Sequence, residues 1–157
     1  MFGIGPIRIP IIGGQCRAPA FVRRPPRKAT LKFQPDTLAG TNSISRFDGD
    51  TLRVNADLVF ATSVVVPWKG QPRDWNAASL QDLTPAHFES LLEFDPEVVI
   101  FGSGAKLKFV SPALYRSLIE RRVGIETMDS GAASRTYNVL AAEGRKVVGA
   151  ILLASGA

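Results

Sequence analysis

The chain has 157 residues, 45% of them hydrophobic, with a net charge of +5. That length suits one domain, and that apolar share is enough to build a core. No run reaches the roughly 18–20 apolar residues of a membrane helix. The single cysteine, Cys16, excludes an internal disulfide and fits a reducing compartment; with a single histidine beside it, a Cys/His zinc site within one chain is also excluded.

The positive charge is unevenly placed. Residues 1–31 hold Arg8, Arg17, Arg23, Arg24, Arg27 and Lys28 and no acid, whereas thirteen basic and fourteen acidic residues follow. Residues 1–31 are therefore expected to be a basic, Pro-rich, disordered tail, and residues 32–157 a nearly neutral α/β domain. An Arg-rich, acid-free start resembles a mitochondrial presequence, but its prolines and glycines oppose the amphipathic helix such a signal forms. A specific nucleic-acid reader needs a basic face on the fold, and the composition offers none.

In chain order, Ser43–Phe47 and Thr51–Asn55 read as short strands around Asp48-Gly49-Asp50, a hairpin signal. The β-branched run Leu58–Val66 reads as one longer strand closed by Pro67, and Trp68–Gln81 as a loop. Thr84-Pro85 opens a helix with Phe88, Leu91 and Leu92 on its apolar face. Val98–Phe101 is a short, wholly apolar strand. Ser111-Pro112 repeats the helix start, with Leu114, Leu118 and Ile119 on the inner face. Ile125–Met128 is a strand, Ser130 caps a helix running to about Glu143, and Lys146–Ala154 is a strand apolar enough to be central. The alternation predicts a three-layer α/β sandwich with a mixed central sheet and helices against it.

In the helix after Ser130, the spacing puts Ala132, Ala133, Thr136, Val139 and Leu140 on the sheet-facing side, with Tyr137 at its border and Glu143 in the same sector. A carboxylate there must be paired, solvated by fraying of the helix end, or protonated, and the expectation is a structural pair with an arginine such as Arg145 or Arg135. Ser134, Asn138 and Arg145 then fall on the opposite side, a small and polar stripe suited to a protein partner.

Two glycine-containing corners carry the candidate site. Gly102-Ser103-Gly104 follows a strand, but the dinucleotide fingerprint needs a third glycine where Leu107 stands. Asp129-Ser130-Gly131 also follows a strand and opens a helix. A nucleophile elbow needs glycine where Met128 stands, and the lone histidine, His87, lies on another helix, so a hydrolase built on Ser130 is the weakest reading. If the strands ending at Phe101 and Met128 are parallel, both corners share one sheet edge. Gly102, Ser103, Gly104, Asp129, Ser130 and Gly131 would then form one surface, extended by Arg135 and Asn138. Free N–H groups of Ser130 and Gly131 would favour an anion there, as in a small-molecule or anion-binding protein. No cofactor, catalytic residue or metal ligand is singled out.

The segment Met128–Arg145, with its Arg135-Thr136-Tyr137-Asn138 core and Glu143 and Arg145 at fixed offsets, resembles a small α/β family of unknown function. Its mitochondrial member is assembly factor three of respiratory complex I. Phe101-Gly102-Ser103-Gly104 and the hairpin residues Phe47, Gly49 and Asn55 extend the resemblance over roughly Leu31 to the C-terminus. Many members carry cysteine where this chain has Ser134, so no thiol role carries over. The resemblance implies a small additional β-hairpin or sheet, no established reaction, and a non-enzymatic binding or assembly protein. Its expected partners are proteins, with self-association open. The expected location is the cytoplasm of a bacterium, or the mitochondrion of a eukaryote.

Overall fold

The computed structural model describes residues 40–153 and, apart from these, Gly13. The expected tail, its boundary near Leu31 and the strand end at Ala154 lie outside the described residues.

Among the described residues eight strands and three α-helices follow in chain order: β1 Ile44–Phe47, β2 Leu52–Val54, β3 Leu58–Phe60, β4 Val64–Pro67, β5 Arg73–Asp74, α1 Pro85–Glu89, β6 Val98–Gly102, α2 Arg116–Glu120, β7 Gly124–Met128, α3 Ser130–Ala142 and β8 Val147–Ile151. They form two sheets. The larger runs β5-β4-β8-β6-β7, with β6 parallel to both β7 and β8 and β4 antiparallel to β8. The smaller runs β1-β2-β3, all antiparallel. The architecture is thus an α/β sandwich around a mixed sheet with a small additional sheet, and β8 is its central strand.

The alternation of side chains along each central strand splits the core in two. Val64, Val66, Val98, Ile100, Val147 and Ile151 face α3 and the small sheet. Val65, Val99, Phe101, Val148 and Ala150 face the layer that holds Trp75, Phe88 and Leu118. Burial on both faces explains why β4, β6 and β8 read as unbroken apolar runs. From β6 the chain crosses through α2 to β7, and from β7 it returns through α3, past β6, to β8. Crossovers of one hand that run in opposite directions put their helices on opposite faces, as found here.

Four expectations are corrected. The run Leu58–Val66 is two strands in different sheets, because the chain bends at Ala61–Thr62 to pass from one to the other. The Trp68–Gln81 loop contains β5, paired with β4. Helix α2 begins at Arg116, after turns following Ser111, and leaves Ile119 exposed. In α3 the buried stripe is Ser130, Ala133, Ser134, Tyr137 and Ala141, while Val139 is exposed. Ser134 turns inward because its hydroxyl donates to the Ser130 carbonyl (2.8 Å), so a small polar residue satisfies itself within the helix.

The true N-cap of α3 is Asp129, whose Oδ1 accepts from the Ala132 N–H (2.8 Å). The helix stops on Gly144 at φ 79°, with the Gly144 N–H donating to Ala141 O and the Arg145 N–H to Leu140 O, the paired bonds of a Schellman end. This rotation also places Glu143 on the surface at the helix end. Among the described residues it makes no ion pair; Arg145 instead lies 3.6 Å from Glu97 in an exposed pair. The expected Glu143–arginine pair is therefore absent among the described residues.

Candidate functional site at the carboxyl edge of the sheet

Strands β6, β7 and β8 end level, Gly102 opposite both Met128 and Ile151, so their following segments emerge at one edge. The two glycine-containing corners therefore meet, and they are stitched together. The Ser103 N–H donates to Met128 O (2.9 Å), and the Ser130 N–H donates to Gly104 O (2.8 Å). The Ser130 hydroxyl, fully buried, donates to Leu152 O (2.6 Å) and accepts from the Gly104 N–H (2.9 Å). One side chain thus ties together the segments leaving all three parallel strands.

The glycines have separate reasons. Gly104 has φ +103°, which side chains rarely adopt. Gly102 has ordinary backbone angles, but a β-carbon there would lie 2.9 Å from Ser130 Oγ and 3.1 Å from the Ala133 β-carbon. Gly102 is what lets α3 settle onto β6.

These contacts remove one of the two N–H donors on which the anion expectation at 129–131 rested. The Ser130 N–H is taken by Gly104 O, and the Asp129 carboxylate already occupies the start of α3. They also account for Ser130 without chemistry. His87 stands on α1 against Trp75, its Nδ1 2.8 Å from Thr84 Oγ1 and its Nε2 3.4 Å from Asn76 O, so Ser130 and His87 form no pair. Among the described residues no group of three His, Cys, Asp or Glu side chains is placed to hold a metal ion.

What this edge presents outward is the loop from β6 toward α2. Ser103 Oγ accepts from the Lys108 N–H (2.9 Å) and shares its hydrogen between Lys106 O (3.1 Å) and Met128 O (3.0 Å), clamping the loop at its base. Residues 105–109 are all exposed, Phe109 at 79% and Leu107 at 50%. Beside the loop lies a cleft of about 370 Å³, lined by Leu80, Ser103, Lys106, Lys108, Leu152 and Leu153 among others. Sequence reasoning did not single out Leu107 and Phe109; the available signal was two large apolar residues alternating with Lys106 and Lys108 in a segment outside the predicted strands and helices.

The remaining candidates separate. Arg135 is exposed one turn into α3, close to Gly131 and Asp129. Asn138 points elsewhere: its Oδ1 accepts from the Ile44 N–H and its Nδ2 donates to Ile44 O, both at 2.8 Å, like a neighbouring strand. Tyr137, fully buried, donates to Pro67 O (2.9 Å), and burial pushes its phenol well above the ordinary range. Asn42 donates to the same carbonyl and to Gly70 O, and accepts from Asn55 Nδ2 (2.9 Å). The Tyr-Asn pair of α3 thus joins the small sheet to the large one. Glu143 and Arg145 lie at the far end of α3, away from this edge.

Known proteins are similar to this chain in sequence and in fold. A bovine (Bos taurus) protein named NADH dehydrogenase (ubiquinone) 1 alpha subcomplex assembly factor 3 is 32% identical over 102 residues, covering 64% of this chain and 54% of its own length. The chain thus spans about half of that relative. A crystal structure of a protein from Bordetella parapertussis superimposes with a TM-score of 0.69 at 31% identity, covering 74% of this chain and 98% of that one. A solution structure from Bordetella pertussis, described as an Mth938-like domain, gives a TM-score of 0.68 at 25% identity over 78% and 92%. A family profile matches residues 44–152, from β1 to just past β8. The chain belongs to that family, described as "Protein of unknown function (DUF498/DUF598)".

Proposed function

We propose that this chain is a non-enzymatic, assembly-factor-like protein that binds other proteins during construction of a respiratory NADH dehydrogenase, acting in the cytoplasm of a bacterial cell. Its similarity to the bovine assembly factor supports the role. The observation that carries the reading is the carboxyl edge. The gap between the β6 and β7 corners, where open α/β sheets hold a ligand crevice, is closed here by the protein's own hydrogen bonds, which leaves the cleft beside the 103–109 loop and holds Leu107 and Phe109 out to solvent. The contact surface is the 103–109 loop, with Gly102–Gly104 and Asp129–Gly131 shaping its base and Arg135 at its border. Asn138 is not part of it, since both ends of its amide are spent on Ile44.

The test is affinity purification of the full chain from its own cells, wild type against Phe109→Asp, with the NADH dehydrogenase content of the membranes measured in a deletion strain. Subunits of that enzyme or its assembly intermediates should co-purify with the wild type and be lost from the variant. Undiminished NADH dehydrogenase in the deletion strain would overturn the assembly role. Unchanged capture by Phe109→Asp would overturn the surface.

A further inference from the structure

Resting on that reading of the edge, we infer the chemistry of the segment that docks there: an acidic stretch of a partner protein carrying large apolar residues. Lysines and apolar residues alternate along Lys106-Leu107-Lys108-Phe109. Lys106 and Lys108 line the cleft, while Leu107 and Phe109 do not. The loop thus turns its cations toward the cleft and leaves an apolar pair outside it, with Lys106 O and Lys108 N–H both bound to the Ser103 hydroxyl. Both sides are displayed at little entropic cost, because the Ser103 hydroxyl already fixes the loop.

The cleft has apolar surface from Leu80, Leu152 and Leu153, two lysines, and no carboxylate among its lining residues. An occupant of complementary charge brings carboxylates to the lysines and rests its apolar side chains on the apolar pair and against the leucines. Concavity decides between a protein segment and a lipid surface. A bilayer meets Phe109 and Leu107 but does not enter a cleft about 370 Å³ in volume beside them, whereas a peptide fills both.

The experiment uses the full chain and two fluorescein-labelled peptides, one alternating glutamate with leucine and one alternating lysine with leucine, titrated by anisotropy at low and high salt. The acidic peptide should bind at least about tenfold more tightly, an advantage shrinking with salt. Lys106→Glu with Lys108→Glu should reverse the preference, and Phe109→Ser should weaken both peptides. These side chains are exposed, and a thermal melt of each variant is the control for folding. Equal binding of the two peptides, or a preference unmoved by the lysine reversal, overturns the inference. So does flotation of the protein with phosphatidylserine-containing vesicles that is lost in Phe109→Ser, which would make lipid the occupant. If Phe109→Asp loses its cellular partners while the acidic peptide fails to bind, the partner chemistry is wrong and the docking edge stands. If the peptide binds but Phe109→Asp keeps every cellular partner, the edge is not the assembly surface.

Discussion

Replacing Asn138 by alanine tests how the small sheet is held. The amide of Asn138 makes two hydrogen bonds to the backbone of Ile44, each 2.8 Å and partly shielded from solvent, and Ile44 is itself only 6% exposed. Each such bond contributes about 1 kcal/mol net, and the N–H and C=O of Ile44 left behind raise the total to about 2–3 kcal/mol. For a domain of this size that is a fall in Tm on the order of 5–15 °C. Asn138→Asp sharpens the test. Its carboxylate still accepts from the Ile44 N–H but sets an oxygen against the Ile44 carbonyl, so it should be at least as destabilised at neutral pH. Protonation restores a donor, which raises the folded-state pKa of this aspartate above its unfolded value, so part of the loss should be recovered as the pH falls towards the ordinary aspartate value of about 4, with the recovery complete below it. Thermal melts by circular dichroism across pH read both effects. An Asn138→Ala protein melting within about 1 °C of wild type would refute the pairing as a source of stability.

Gly102→Ala should cost about 1–3 kcal/mol by overpacking, since its β-carbon would meet Ser130 and Ala133 at 2.9–3.1 Å; urea denaturation measures it. Tyr137→Phe should lose about 1 kcal/mol at neutral pH with its bond to Pro67 O. Burial raises the Tyr137 phenol, so its contribution is complete below the unfolded value near 10 and is lost as the pH rises beyond it; alkaline melts should fall less steeply in the variant. Glu143→Gln should leave Tm unchanged or slightly raised, because Glu143 is exposed at the negative end of α3, where its charge is unfavourable, whereas a clear loss would point to a partner for the carboxylate.

Much of the large sheet is legible because its strands are buried on both faces and announce themselves as apolar runs between helix caps. The burial of β8 on both faces is legible in Val147-Val148 and Ile151-Leu152. The rotation of α3 is not legible by the same means. Periodicity weighs Val139 and Leu140 as inner residues, yet the inward stripe holds Ser130 and Ser134, whose hydroxyls find backbone carbonyls within 2.8 Å and so lie in the core at little cost. The split of Leu58–Val66 is hidden for a related reason: which sheet a β-branched residue joins depends on its neighbours in space, not on its own preference. At the candidate edge, the meeting of the two glycine-containing corners follows from parallel strands, but the closing of the crevice depends on individual hydrogen bonds that no spacing encodes.

Ser130 stands where that closure is made. The connections after β6 and β7 leave for opposite faces of the sheet, which in open α/β folds separates the loops and leaves room for a ligand. Here Gly102 lets α3 approach β6, and the Ser130 hydroxyl fills the gap, donating to Leu152 O and accepting from the Gly104 N–H. If that is its role, Ser130→Ala leaves a buried acceptor and a donor without their partner. The loss should be about 1–3 kcal/mol, with faster amide exchange at Gly104. A nucleophilic serine behaves otherwise: its hydroxyl is exposed, it labels with fluorophosphonate probes, and its removal leaves stability unchanged or improved. Ser130 should resist such labelling, and Ser130→Ala should melt below the wild type. An alanine variant as stable as the parent, or a labelled serine, would mean that the corner is kept for chemistry and not for shape.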